Sequence, residues 1–138
     1  MAGYSGTPLV KKLGIKPGFC IYFLNAPEQY QALLGELPPD VNEVDTADVA
    51  LDFIQFFTKS AAALVEQLPV LMKALKPNGM LWVSWPKKAA KIPTDLTEDV
   101  IREIGLAAGL VDVKVIAVDE VWSGLKFVYR LQDRPAKR

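Results

Sequence analysis

Six side chains that suit the binding of an anionic or planar group follow the ends of apolar runs. They are Lys59, Ser60, Trp85, Lys87, Lys88 and Trp122. Lysine ammonium groups attract phosphates and carboxylates, a serine before a helix lies beside free backbone N–H groups, and indole rings offer flat area for stacking. Histidine is absent, which excludes Ser-His-Asp and Cys-His sites and zinc bound by histidine. We interpret the six residues as a candidate ligand-binding site with no catalytic residues, no metal and no cofactor.

The composition indicates a single α/β domain over residues 1–138, with a basic tail from about residue 132. The chain has 138 residues, of which 51% are hydrophobic, and this is enough to bury one core. Its single cysteine, Cys20, excludes an internal disulfide. The apolar runs are too short to cross a bilayer, and residues 1–8 have no signal-peptide pattern. We therefore expect a cytoplasmic protein that does not bind membranes.

The formal net charge is zero, but the charges are segregated along the chain. Residues 28–52 contain seven acids and no Lys or Arg, and residues 73–91 contain five lysines and no acid. Overall neutrality argues against nucleic-acid binding, which depends on neutralising phosphates. The blocks fit either solvated faces or a dipolar surface that meets a partner. The partner is unknown from sequence, and a small anionic ligand and a protein partner both remain open.

Strand and helix patterns alternate along most of the chain, which indicates a mostly parallel sheet with crossover helices. Apolar runs predict strands over residues 19–24, 41–45, 52–57, 80–85, 111–118 and 125–131. Periodicity and capping signals predict helices over residues 8–13, 26–36, 61–75 and 96–108. Pro69 should kink or split the third helix. The last two strands are joined by about six residues, too few for a parallel crossover, so they must be antiparallel.

These connections predict the strand order second, first, third, fourth, sixth, fifth. The loops after residues 57, 85 and 118 should then emerge on one side of the sheet, where open α/β folds bind their ligands. The helix that follows Ser60 should present free N–H groups there, next to the lysines of the candidate site. In the last helix, Asp95 and Glu98 have the spacing of a capping box.

Three segments, GIKPGFCIYFL, LKPNGMLWVSW and AAGLVDVKVIAVDEVWSGLKFVYR, resemble the class I S-adenosylmethionine-dependent methyltransferase fold. The resemblance implies a compact Rossmann-like, methyltransferase-type sheet of about six strands, mostly parallel with an antiparallel last strand. The segments YSGTPLVKKLGIKPG, LWVSWPKKA, TDLTEDVIRE and GLVDVKVIAVDEVWSGLK resemble a family of small bacterial proteins of unknown function. That second resemblance covers nearly the whole chain and implies no activity.

The chain departs from the methyltransferase pattern where that fold keeps a glycine-rich cofactor loop. Residues 24–30 read LNAPEQY and contain no glycine, so the backbone should approach a ligand less closely. Asn25 and Glu28 have capping-box spacing, which predicts a helix from Ala26 that satisfies its own N–H groups. The short interval between the second and third strands also lacks room for the helix–strand unit of a full methyltransferase.

Two functional hypotheses follow. The favoured one is a non-catalytic cytosolic bacterial binding or regulatory domain that keeps the methyltransferase-like architecture without the cofactor loop. The alternative is a small-anion or nucleotide-binding domain, including a divergent methyltransferase with an altered site. Fold alone does not decide between them.

Overall fold

The computed structural model describes residues 7–130, which form a six-stranded sheet with helices on both faces. The strands are β1 (Cys20–Leu24), β2 (Asn42–Val44), β3 (Leu51–Phe57), β4 (Leu75–Pro86), β5 (Leu110–Ala117) and β6 (Trp122–Tyr129). The helices are α1 (Leu9–Leu13), α2 (Tyr30–Leu34), α3 (Ala61–Ala74) and α4 (Glu98–Ala108). The predicted basic tail lies outside the described residues. None of the helices within residues 7–130 has the length and apolar character that spanning a bilayer requires.

The strand order is β2-β1-β3-β4-β6-β5, which confirms the order predicted from sequence. Strands β1 to β4 are mutually parallel, while β6 is antiparallel to both of its neighbours, β4 and β5. Strand β5 therefore runs in the same direction as β1 to β4. As predicted, the carboxyl ends of β3, β4 and β5 lie at one edge of the sheet, which we call the carboxyl edge.

The two faces of the sheet carry two separate apolar layers. On the α3–α4 face, Leu64 and Leu68 of α3 and Ile101 of α4 pack in the core with Phe127 of β6. On the α1–α2 face, helices α1 and α2 pack over the buried Trp82, whose indole N–H donates to the carbonyl of Leu13 at 2.9 Å. Burial on both faces explains why β3 and β4 read as apolar runs without alternation.

Helix α2 is much shorter than the predicted helix over residues 26–36. It begins at Tyr30, and the preceding Gln29 makes no side-chain capping bond. Asn25 adopts a left-handed backbone with φ of 61°, and the N–H of Tyr30 donates to the carbonyl of Pro27 at 3.0 Å, which closes a turn. The predicted Asn25–Glu28 capping box is therefore wrong, because an N-cap residue typically has backbone angles in the β region and the helix begins only at Tyr30.

Two other elements differ from their predicted form. Helix α3 continues past Pro69 to Ala74, so the proline does not split it. Strand β4 begins directly after this helix, at Leu75, rather than at residue 80. Leu75 pairs with Leu51 and Met80 pairs with Phe53, so residues 76–79 form an irregularity in the register. Lys76-Pro77-Asn78-Gly79 thus ends the helix as predicted but lies within the strand that follows.

Candidate functional site

The start of α3 at the carboxyl edge is closed by the protein's own side chains. The Ser60 hydroxyl accepts from the N–H of Ala63 at 3.1 Å, and an Asp95 carboxylate oxygen accepts from the N–H of Ala61 at 2.8 Å. The Thr94 hydroxyl also donates to the carbonyl of Lys59 at 2.6 Å. The N–H groups of Ala61 and Ala63 are therefore not free for a ligand, which corrects the prediction for these two groups, while Ser60 is a cap as predicted.

The same contacts correct the predicted capping box of α4. Thr97, rather than Asp95, precedes α4 as its N-cap, and its hydroxyl accepts from the N–H of Val100 at 3.2 Å. Asp95 instead accepts a hydrogen bond from the first turn of α3, and local sequence spacing cannot reveal such a long-range contact. The β4–α4 loop is consequently tied to the start of α3.

Replacing Asp95 with alanine should lower the free energy of unfolding by about 1 kcal/mol, because one N–H of the first turn of α3 loses its acceptor. Urea denaturation monitored by circular dichroism measures the change. Glu103→Ala is a matched control, since it removes the same charge from an exposed site on α4. Equal stability of the two variants would show that the Asp95–Ala61 contact contributes nothing.

The two predicted tryptophans lie on opposite faces of the sheet. Trp85 pairs with Ser123, and Trp122 pairs with the next residue along β4, Pro86, so the two rings point in opposite directions. Trp85 is 6% exposed and belongs to the α3–α4 core. Trp122 is half-buried on the α1–α2 face, where its ring meets Phe57 edge-to-face at 5.2 Å. The predicted use of both rings in one stacking site is therefore wrong.

A groove of about 520 Å³ lies on the α3–α4 side of the carboxyl edge, next to the end of β4. We call it the β4 groove. Its lining residues are Trp85, Pro86, Lys87, Lys88, Ile92, Thr94, Leu96, Thr97, Glu98 and Ser123. The groove thus brings together Trp85, Lys87 and Lys88 from the candidate site, whereas Lys59, Ser60 and Trp122 are not part of its lining.

The backbone holds the two lysines of the groove in place. The N–H of Lys87 donates to the carbonyl of Val121 at 2.7 Å, which attaches the loop to the β5–β6 connection. Lys88 is exposed and opens a single 3-10 turn, Lys88–Ala90. The one carboxylate in the lining, Glu98, is already paired with Arg102. In the described part of the chain, Lys87 and Lys88 have no ion-pair partner.

Sequence reasoning missed several polar residues of the groove, namely Thr94, Thr97, Glu98 and Ser123. Thr94 lies in the same polar loop as the lysines, so its position in PKKAAKIPT was a usable signal. Ser123 comes from β6 and reaches the groove only because β6 pairs with β4. Nothing in its local sequence marks it.

The β1–α2 loop, which the methyltransferase resemblance equates with a cofactor loop, lies over a buried cluster of hydrogen-bonded and aromatic side chains. Beneath it, the buried Tyr30 hydroxyl donates to Oε1 of Gln55, and Nε2 of Gln55 donates to the Ser84 hydroxyl at 3.0 Å. Burial raises the pKa of Tyr30 well above its usual range. The ring of Tyr30 also packs edge-to-face against Phe23 and Phe57. The start of α2 is therefore occupied by packed, hydrogen-bonded side chains.

The sheet order and the packing of the helices define a methyltransferase-like α/β fold. A methyltransferase from Aquifex aeolicus described as SAM-dependent is 16% identical with a TM-score of 0.64, over 86% of each chain. The magnesium protoporphyrin IX methyltransferase of Synechocystis PCC 6803, solved with bound SAM, is 13% identical with a TM-score of 0.54, over 88% of this chain and 74% of its own. Identities this low establish the fold alone.

A Bordetella parapertussis protein described as a possible exported protein is also similar. It is 13% identical with a TM-score of 0.63, over 88% of this chain and 65% of its own. No curated protein matches the chain. The chain belongs to the family described as "Protein of unknown function (DUF3052)", which matches residues 28–131. The resemblance to an uncharacterised family and to the methyltransferase fold is therefore confirmed.

Proposed function

We propose that this chain is a non-catalytic binding or regulatory domain of the bacterial cytosol, built on a methyltransferase fold that does not take S-adenosylmethionine. The observation that carries the proposal is the closure of the carboxyl edge on both sides of β3. The Ala61 and Ala63 N–H groups of α3 are bonded to Asp95 and Ser60. Free backbone N–H groups at a helix start are the donors that nucleotide and anion sites commonly use, and these two are already bonded within the protein.

The β1–α2 loop supports the same conclusion. It has Ala26 and Pro27 where glycines would let the backbone approach a ligand, and proline has no N–H to donate. Helix α2 has five residues, too few for a substantial dipole at its start. Tyr30 lies buried directly behind the loop. The residues present here do not fit S-adenosylmethionine.

The binding surface of this domain is the β4 groove. Lys87 and Lys88 give it positive charge, Thr94, Thr97 and Ser123 offer hydroxyl groups, and Ile92 offers apolar area. An anionic group carried by a small ligand or by an acidic protein segment suits this lining.

S-Adenosylmethionine at 1 mM should leave the melting temperature of the protein unchanged. A ligand present at a hundred times its dissociation constant would add about 2.7 kcal/mol of stability, which corresponds to a rise of roughly 10 °C for a domain of this size. Differential scanning fluorimetry with S-adenosylmethionine and S-adenosylhomocysteine measures the shift. A clear rise with either compound would contradict the proposal.

A second candidate function, small-anion or nucleotide binding, is favoured by the position of Lys87 and Lys88 at the groove. The same fluorimetric screen with nucleotides and sugar phosphates tests it. The variant Lys87→Gln with Lys88→Gln should abolish any response that arises in the groove, and Lys59→Gln is the matched control at the same edge. A response that survives the double change would place the anion elsewhere.

A further inference from the structure

Three lysines converge on the α1–α2 face, away from the β4 groove. Lys114 of β5 lies directly opposite Lys126 of β6, and Lys126 in turn lies opposite the buried Trp82. Directly opposed residues of an antiparallel pair have Cβ atoms about 5 Å apart. Lys16 follows α1 and Ile15, which pack over this same face. We call these three residues the lysine triad.

Among residues 7–130, no acidic side chain forms an ion pair with a member of the lysine triad. Within the same described part of the chain, the side chains of Lys16, Lys114 and Lys126 form no salt bridge and no hydrogen bond. Burial lowers the pKa of Lys126, and the charges of Lys114 and Lys16 lower it further. Like charges placed opposite each other on a sheet oppose folding.

A lysine on an edge strand such as β5 is often explained as protection against aggregation. That explanation covers Lys114, which is exposed. It does not cover Lys126, which lies half-buried on an interior strand between β4 and β5. A half-buried ammonium without an ion-pair partner is unfavourable in the free protein and becomes favourable when an anion joins it.

We propose that the lysine triad is a binding site for the phosphate groups of a multiply charged anion. Two directly opposed ammonium groups on the sheet, with a third on the segment that follows α1, match an anion that carries several charges close together, which phosphates do and a single carboxylate does not. This site is separate from the β4 groove, because it lies on the opposite face of the sheet. If the lysine triad does not bind phosphates, the function proposed for the β4 groove is unaffected.

Tripolyphosphate is the probe that tests the triad. In isothermal titration calorimetry at low salt, the wild-type protein should bind it, and Lys126→Met should weaken binding about tenfold or more, since one charge-assisted contact is lost. Methionine keeps the length of the lysine stem, so the fold should survive. Affinity should fall as salt is added, because the attraction between exposed charges is screened.

A matched control, Lys73→Met, removes one positive charge from an exposed position on α3 and should bind tripolyphosphate as the wild type does. The variant Lys88→Met tests whether the anion binds in the β4 groove instead. Loss of binding in Lys88→Met but not in Lys126→Met would overturn the proposal, as would absence of binding in the wild-type protein. Equal binding of an oligoglutamate peptide, lost in Lys126→Met, would overturn the assignment to phosphate.

Stability in anion-free buffer gives an independent readout. Lys126→Met should melt a few degrees higher than the wild type, because the mutual repulsion is removed. Tripolyphosphate should raise the melting temperature of the wild type and leave that of the variant unchanged. A variant that melts lower without anion would show that Lys126 stabilises the free fold, which contradicts the proposal.

Discussion

Gly105→Ala is expected to lower the free energy of unfolding by about 2 kcal/mol or more, although alanine is a better helix former than glycine. Gly105 lies in the middle of α4 and faces the buried ring of Phe127 on β6. A Cβ atom at this position would lie 2.5 Å from Cζ and 2.9 Å from Cδ1 of Phe127, and closer still to Cε1. Ring and helix must therefore separate to admit a methyl group.

The double variant Gly105→Ala with Phe127→Leu isolates this contact. Phe127→Leu alone costs stability through the space it leaves. If the alanine methyl then occupies part of that space, the two changes together should cost at least 1 kcal/mol less than their sum. Chemical denaturation of the wild type and the three variants measures the coupling. A more stable Gly105→Ala variant would show that helix propensity outweighs the packing of α4 on β6.

Gln55→Leu should destabilise the protein by about 3 kcal/mol, although leucine is similar in size and more apolar. Gln55 is 0% exposed, and it both accepts from Tyr30 and donates to Ser84. Leucine would leave two buried hydroxyl groups without their partner, at about 1 to 3 kcal/mol each. Urea denaturation at neutral pH measures the loss.

The triple variant Tyr30→Phe, Gln55→Leu and Ser84→Ala is the matched control for this loss. It removes every member of the buried chain, so no polar group is left unpartnered, and we expect it to be more stable than Gln55→Leu alone. A triple variant as unstable as the single one would show that shape, rather than hydrogen bonding, determines the cost at position 55.

The sheet was predictable from sequence because its central strands, β3 and β4, are buried on both faces. Apolar runs such as residues 52–57 have no amphipathic alternative, and a connection as short as that between β5 and β6 admits only an antiparallel pair. Helix α2 was not predictable in its length. Its local signals, Asn25 and Glu28, describe a good helix start, but the chain uses Asn25 as a left-handed residue instead.

The candidate site was predictable only in part, because a site depends on which faces side chains occupy. Lys87 and Lys88 come from one loop, so finding them together required no tertiary information. Trp85 and Trp122 lie on opposite faces because of the register between β4 and β6. A shift of this register by one residue would move the side chains of β6 to the other face of the sheet. Asp95 accepts a hydrogen bond from the N–H of Ala61, 34 residues away in sequence, and no local sequence pattern predicts such a contact.

The two hydrogen bonds that join Thr94 and Asp95 to the start of α3 also bear on the motions of the protein. Because one side of the β4 groove is bonded to Lys59 and Ala61, that side and the first turn of α3 should open to solvent as one cooperative unit. The exchange rate of the Ala61 amide hydrogen should therefore measure how often this side of the groove opens, although Ala61 does not line the groove. A ligand in the groove should slow the exchange of this amide with deuterium, without touching the helix to which it belongs.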